Sequence, residues 1–575
     1  MAAPSMKTAP KAAHAAGDKP WLRSYPPDCP ATIDESGLVT LAEMFRQSVA
    51  AHANRPAAES FGKRMTYSEL GRAAEAVASW LQGQGLRKGD RVAIMLPNVM
   101  AYPAVLYGVL IAGGAVVNVN PLYTARELTQ QLKDSGARIL FVLENFGYTV
   151  AEALPALSLD AVVIVTPGDL LGLKGRLVNL VSRHVKKAVR PYELPRALRF
   201  RDVLASGRSA GPQPAGLALD DVAFLQYTGG TTGVDKGAVL THRNVAANVA
   251  QIEAWLRPSL GERPDHVMVT ALPLYHIFAL TCSALFMARI GACMLLIANP
   301  RDIPGFVRTL RTRPFTMMIG VGTLYNALAH HADISQVDFS RLVKCVSGGM
   351  ATQAAVARKW KAVAGRPIVE GYGLSETSPV VCANRGDIDE FTGTIGYPLP
   401  STDVAIRSAE GGADLPAGQP GELCIKGPQV MTGYWNRPEE TAQVMTPDGY
   451  LRSGDVAILM PDGAVKIVDR LKDMVLVSGF NVYPNEVEDV LASHPGVLEV
   501  AVIGLPDEHS GEAVVAFVVR KDPGPSEAEL LAHARAELTG YKVPRRIEFR
   551  DSLPKTNVGK VLRRVLRDEV LVKQA

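Results

Sequence analysis

The densest run of chemistry-bearing residues is YTGGTTGVDKG at 227–237, where seven of eleven positions are Gly or Thr. Glycine lets a backbone turn tightly enough for several N–H groups to face one anion. Here Gly229, Gly230 and Gly233 supply the turns, Thr228, Thr231 and Thr232 add hydroxyl donors, and Lys236 adds a point charge. Such a loop suits a polyphosphate. A flexible Gly/Thr surface loop is the competing reading, and the lysine argues against it. The Walker pattern GxxxxGK[ST] is not met, because Lys236 does not follow the required glycine. The six cysteines, Cys29, Cys282, Cys293, Cys345, Cys382 and Cys424, lie far apart without a CxxC pair. They indicate neither a zinc site nor a disulfide framework, so a reducing, cytoplasmic setting is expected.

Further motifs follow the loop: ALPLYHIF at 271–278, EGYGLSE at 370–376, YLRSGD at 450–455, IVDRLKD at 467–473 and PKTNVGK at 554–560. In this order they resemble the motifs of the adenylate-forming enzymes, which comprise acyl-CoA synthetases, adenylation domains and luciferases. The similarity runs from about Trp21 to the C-terminus. LPLYHIFALT, SGFNVYPNE and LTGYKVP are most similar to bacterial long-chain fatty acid–CoA ligases. The resemblance implies two half-reactions. A carboxylate attacks the α-phosphate of ATP, giving acyl-adenylate and pyrophosphate. The CoA thiol then attacks the acyl carbonyl and releases AMP. Protein groups serve such chemistry chiefly by positioning and charge stabilisation.

Residue roles follow from the same resemblance. Glu376 is the expected Mg²⁺ ligand, with Thr228 as a second oxygen donor, since a hard cation takes oxygen ligands and bridges phosphates. Asp455 should accept hydrogen bonds from the ribose hydroxyls, and Arg470 should contact ribose or phosphate, with a hinge ion pair as its alternative. Tyr372, flanked by Gly371, Gly373 and Ser375, should stack on adenine beside Gly348. Lys560 should bridge the fatty carboxylate and the nucleotide as the new bond forms. His276 is either a core histidine or lies against the acyl carboxylate, where it could gate the thiol. Lys472 is the implied hinge, about which a small domain swings to remove Lys560 and bring Ser478, Gly479 and Phe480 to a CoA tunnel. Ile319, Gly320, Gly322, Val380 and Val381 are the expected acyl pocket. Departures from the family pattern are Asp235, a negative charge beside the phosphate loop that should point to solvent, and Ser375 and Ser453, which keep the hydroxyl of the usual threonines.

These residues need elements to hold them. Thr40-Leu-Ala-Glu43, Thr66-Tyr-Ser-Glu69 and Thr124-Ala-Arg-Glu127 each place a hydroxyl cap three residues before a glutamate, which predicts helix starts. Helices should end near Gly83 and Gly136. Short apolar runs at 91–96, 138–143 and 161–165 alternate with them, predicting an α/β fold with buried parallel strands. The uncharged stretch 100–117 is broken by Pro103, Gly108, Gly113 and Gly114, so it reads as a buried helix, a turn and a strand rather than a membrane span. The last hundred residues read as a compact α+β unit, with Asn485 capping a short helix, strands at 497–505 and 512–521, and a helix opened by Ser526. The expected organisation is a disordered extension at 1–20, a large multi-layered domain at 21–471 and a small mobile domain at 472–575.

At 174–190, Lys174, Arg176, Arg183, Lys186, Lys187 and Arg190 interleave with Leu173, Leu177, Leu180, Val181, Val185 and Val189. That pattern predicts a basic amphipathic helix, which could lie on an anionic membrane or pack its apolar face on the body. Lys+Arg number 61 against 57 Asp+Glu, a net charge of +4 over 575 residues, too small an excess to point to nucleic acid. With 47% hydrophobic and 21% charged residues, the chain can bury a sizeable core. Fatty acid, ATP and CoA are the expected partners, with a homodimer left open. The rival readings are a medium-chain or aryl-CoA ligase, a fatty acyl-AMP ligase, which the lack of an insertion after the hinge argues against, and a nucleotide-binding protein without catalysis.

Overall fold

The computed structural model describes residues 19–208, 211–228, 235–261, 263–408, 412–507, 509–556 and 559–574. Among these residues four sheets form. The first has a parallel centre, Cys293–Leu296, Val267–Thr270, Met317–Gly320, Lys344–Ser347 and Ile368–Gly373. Antiparallel strands Val380–Ala383 and Tyr397–Pro398 extend one side, and Pro56–Ser60 with Lys63–Thr66 the other. The second sheet sets Val222–Thr228, Ala115–Asn118, Arg91–Met95, Ile139–Leu143 and Ala161–Val165 in parallel, with Lys236–Thr241 returning antiparallel to Val222–Thr228. A third, antiparallel sheet is made of Asp403–Arg407, Pro420–Lys426, Leu451–Leu459 and Val465–Arg470.

Helices Leu41–His52, Tyr67–Gly83, Ala101–Ala112 and His242–Leu260 join the two large sheets in one continuous core. The caps expected from sequence form: Thr40 accepts the Glu43 N–H, and Thr66/Glu69 and Thr124/Glu127 make reciprocal capping boxes. Gly136 ends its helix at φ 65°, a conformation glycine adopts without a Cβ penalty. The uncharged stretch is the helix Ala101–Ala112, buried on all sides, then a left-handed Gly113 and the strand Ala115–Asn118. No described helix is long and apolar enough to cross a membrane.

Past Lys472 the strands Phe480–Val482, Val475–Val477, Gly511–Arg520 and Val497–Asp507 pair antiparallel, and Arg546–Phe549 joins parallel. Two small apolar clusters of their own lie on this sheet. Helix Glu527–Glu537 starts at Ser526 as expected, with a capping box to Glu529. Asn485 is not a cap. The helix Pro484–Ser493 is preceded by Tyr483, and Asn485 sits in its first turn with its side chain bonded to other elements.

Two other expectations change. Residues 1–18 of the expected extension lie outside the described residues, but Lys19 pairs with Asp403 and Pro20 is buried, so both belong to the body. The basic segment forms only Leu173–Leu180, followed by a π-type turn at Val181–Val185. Its apolar side does not pack on the body: Leu173, Leu177, Leu180 and Val185 are 83, 64, 53 and 68% exposed. Inward, Val178 packs on the main core, and Arg183 donates from Nε and Nη2 to the buried Glu144 at 2.8 and 2.5 Å. Asn179 and Asn145 add hydrogen bonds to Thr166 and Ala188.

Candidate functional site

The carboxyl ends of the parallel strands of both large sheets open into one cavity of about 990 Å³. Ligands of α/β sheets characteristically bind at such ends, where the backbone leaves the sheet and its polar groups are free. The cavity is lined by Thr228 and Lys236 from the second sheet, by Ile319, Gly348, Gly371, Tyr372 and Gly373 from the first, and by Ser375 and Glu376 just beyond it. Arg470 lines it from the third sheet, and Lys555, Thr556, Lys560 and Leu562 from the C-terminal unit.

Thr228 and Lys236 face each other across the hairpin that carries the loop. Gly229, Gly230, Thr231, Thr232 and Gly233 lie outside the described residues. Below the loop, Tyr227 donates to Asp134 at 2.6 Å, and Arg437 donates to the other oxygen of that carboxylate at 2.8 Å. The Lys236 ammonium stands 5.2 Å from the Tyr434 ring centroid, and the Tyr434 hydroxyl donates to Glu376 at 2.7 Å. One aromatic side chain therefore spaces the lysine from the carboxylate. Asp235 does not point to solvent. It lines the cavity, accepts from the Tyr123 hydroxyl at 2.7 Å, and burial raises its pKa. The tyrosine holds the carboxylate where it would otherwise lie free beside the loop.

Asp455 is buried and its two oxygens accept from Tyr372, at 2.5 Å, and from Arg470 Nε, at 3.1 Å. Lys560 is enclosed, and burial followed by the Arg470 charge pushes its ammonium down to about 8. His276 lies in the cavity wall with Nδ1 accepting the Phe278 N–H at 3.3 Å, which leaves the ring proton on Nε2. Burial, aided by Lys560, pushes it down to about 4, so the ring is neutral at physiological pH. Gly348 is tightly surrounded: a Cβ there would lie 3.0 Å from the Gly371 carbonyl and 3.1 Å from the Phe278 ring, so a neighbour would have to give way. Glu376 and Thr228 are oxygen donors lining the cavity. No cluster of three or more His, Cys, Asp or Glu occurs among the described residues. The donor set fits a hard divalent cation that takes its remaining oxygens from phosphate and water.

An apolar branch runs under the first sheet. Strand alternation turns Met317, Ile319 and Val321 to it, and Val346, Val369, Met268 and Val380 join them. Helix His242–Leu260 covers the branch with Ile252, Trp255 and Leu256. Of the five expected pocket residues, Ile319 and Val380 are on this wall. Gly320 and Gly322 are not, and Val381 faces a separate core with Val404 and Ile406. Lys472 is exposed between the third sheet and the C-terminal unit. Ser478, Gly479 and Phe480 form the hairpin beyond it, away from the cavity, with Phe480 56% exposed and stacked on Tyr541 at 4.9 Å.

Asn118 and Gln226 also line the cavity and were not legible as site residues. Tyr102 donates to Asn118, Asn118 to Gln226, and Gln226 to the Tyr275 carbonyl at 3.0 Å. This relay ties the 271–278 segment to the second sheet.

Residues 45–435 match the family model for AMP-binding enzymes, and residues 486–560 match that for the AMP-binding enzyme C-terminal domain. A long-chain-fatty-acid–CoA ligase of Escherichia coli O6:H1 is 50% identical over 553 residues, 96% of this chain and 98% of its own. A feruloyl-CoA synthase of an Amycolatopsis species is 36% identical over 88% of this chain and 94% of its own. Among solved structures, a benzoate CoA ligase from Burkholderia xenovorans superposes with a TM-score of 0.78 at 28% identity, covering 92% of this chain and all of that one.

Proposed function

The chain belongs to the AMP-binding enzyme family, and on that premise we infer that it is an AMP-forming ligase joining long-chain fatty acids to CoA with ATP. The observation that carries this reading is the single cavity, in which a head bearing Lys236, Glu376, Arg470 and Lys560 continues into a branch walled by aliphatic side chains. A fatty acid has this shape and polarity.

In the first half-reaction the loop and Lys236 hold the polyphosphate, and Asp455 with Arg470 engages the ribose. Tyr372 and Gly348 border the base. Lys560 sits between carboxylate and nucleotide as the carboxylate oxygen bonds to the α-phosphorus and the bond to pyrophosphate breaks. Glu376 and Thr228 would hold Mg²⁺, which when bound neutralises phosphate charge. In the second half-reaction the thiol sulfur bonds to the acyl carbon, the bond to AMP breaks and the thiol proton passes to water. His276, neutral in the free site and with its proton on Nε2, is a hydrogen-bond donor beside the acyl group. Residues 472–575 act as a small domain turning at Lys472, bringing Ser478, Gly479 and Phe480 to the CoA path.

Palmitate-stimulated exchange of pyrophosphate into ATP, followed by thioester yield over a series of alkanoates and benzoates, tests the reading. Exchange and thioester with long alkanoates are expected. Turnover of benzoates or cinnamates alone would overturn the fatty-acid assignment, and no exchange with any acid would overturn the enzyme.

The same inference extends to the membrane in which such substrates dissolve. Leu173, Leu177 and Leu180 face outward among Lys174, Arg176 and Lys186 while Arg183 is turned in to Glu144. Such a face suits shallow contact with anionic lipid. The protein should pellet with phosphatidylglycerol-containing vesicles and not with phosphatidylcholine alone, and Leu177→Glu should release it. Equal recovery on both vesicle types, or none, would sink this part.

A further inference from the structure

The third sheet ends at a buried carboxylate that neither half-reaction uses. Asp469 is fully buried at the end of Val465–Arg470. Its Oδ1 accepts the Arg470 N–H at 2.8 Å, and its Oδ2 accepts the Asn485 N–H at 2.8 Å. Asn485 belongs to the C-terminal unit, beyond Lys472. Its side-chain amide donates back to the Val468 carbonyl at 3.3 Å, and its Oδ1 accepts from Arg563 at 2.8 Å. Arg563 also donates to Glu488 at 2.7 Å and to Asp473 at 3.3 Å, and stands 3.9 Å from Asp469. It opens the last helix, Arg563–Gln574, three residues after Lys560.

The contacts on Asp469 come from both sides of the boundary. The Arg470 N–H would travel with Asp469 through any motion about Lys472. The Asn485 N–H and the Arg563 guanidinium would leave together, and the Val468 carbonyl would lose its donor in the same step. Burial pushes the Asp469 carboxyl up to about 6, with Arg563 opposing that rise. At neutral pH the group is therefore largely ionised, and a swing of the unit gives up the charge-assisted hydrogen bond from Asn485 and the nearby Arg563 charge.

We propose that Asp469 and Asn485, braced by Arg563, form a latch that holds the C-terminal unit in the arrangement that keeps Lys560 in the cavity. Asp469 is then a positioning residue for acyl-adenylate formation, and thioester formation does not need it. This rests on the ligase reading and on the role given there to Lys560.

Asp469→Asn keeps the shape but turns an amide NH₂ toward one of two N–H donors. It should lower palmitate-dependent pyrophosphate exchange by about tenfold or more, the effect of losing one hydrogen bond to a charged group. Thioester formation from supplied palmitoyl-adenylate and CoA should stay within about twofold of wild type, because the positioning loss falls on the other step. Asn485→Ala keeps its backbone N–H on Asp469 but strips the side-chain half of the latch, the bonds to Val468 and Arg563, and leaves Arg470 undisturbed. It should give the same split and faster tryptic cleavage after Lys472, and it carries the test if Asp469→Asn fails to fold. Equal loss of both half-reactions in Asn485→Ala, or unchanged exchange in that variant, overturns the latch. Absence of exchange in the wild type with every acid would instead overturn the ligase reading.

Discussion

At Lys560 two effects oppose each other. The adenylation step needs a cation between carboxylate and phosphate, yet burial and the nearby Arg470 charge both disfavour that cation and lower its pKa to about 8. A depressed ammonium keeps its charge below that value and loses it as pH rises through it. The kcat/KM for pyrophosphate exchange, which reports the free enzyme, should therefore fall above pH 8, where an ordinary lysine would hold to about 10.4. A Lys560→Arg variant, if active, should lose this alkaline limb. A wild-type profile flat to pH 9.5 would count against Lys560 as the cation. Lys560, Glu376 and Lys236 could be picked out from sequence because each stands in a short local run. Tyr434, Asp134 and Asn118 could not, because each takes its meaning from a partner far along the chain: Tyr434 from Glu376, 58 residues away, and Asp134 from Tyr227, 93 away.

Helix starts were readable for the same reason of locality: a cap and its partner lie three residues apart, and Thr40, Thr66, Thr124 and Ser526 all cap as their spacing predicts. Asn485 has the composition of a cap, but Val468 and Arg563 offer its amide better partners, and tertiary contact wins. The segment after Leu173 shows a second limit. An amphipathic pattern looks the same whether its apolar stripe faces inward or outward. Here the orientation follows from a buried glutamate in another element that draws Arg183 inward. Close packing gives the sharpest prediction at this scale. In the helix Ala101–Ala112, a Cβ on Gly108 would lie 2.6 Å from the Val77 side chain and 2.9 Å from the Ala74 carbonyl on the neighbouring helix. Gly108→Leu must push the two helices apart, at a cost of about 1–3 kcal/mol or more. Thermal melting should register a clear drop, and an unchanged midpoint would contradict the helix contact.

For the molecule as a whole, the α/β class and the separate character of the C-terminal sheet were readable from alternating elements and turn residues. The meeting of two sheets at one cavity was not, since strand order within a sheet leaves no local trace. Because Lys560 reaches that cavity from a unit with its own apolar clusters, the two half-reactions should be separable by mutation. Lys560→Ala should lower acyl-adenylate formation by about 10²–10³-fold, as removing one preorganised charge-stabilising group does. It should leave thioester formation from supplied acyl-adenylate nearly intact. Parallel loss of both would mean that Lys560 serves the two steps alike. Lys555, Thr556, Lys560 and Leu562 make part of the chamber wall from the C-terminal unit, and under the proposed turn at Lys472 that wall is also a water gate. The mixed anhydride formed inside is an energy-rich compound that hydrolyses to the starting acid and AMP. Fidelity here is then a matter of coupling efficiency: each acyl-adenylate hydrolysed before CoA arrives spends one ATP without product. The ratio of AMP released to thioester formed measures how well the wall and the thiol are timed to each other.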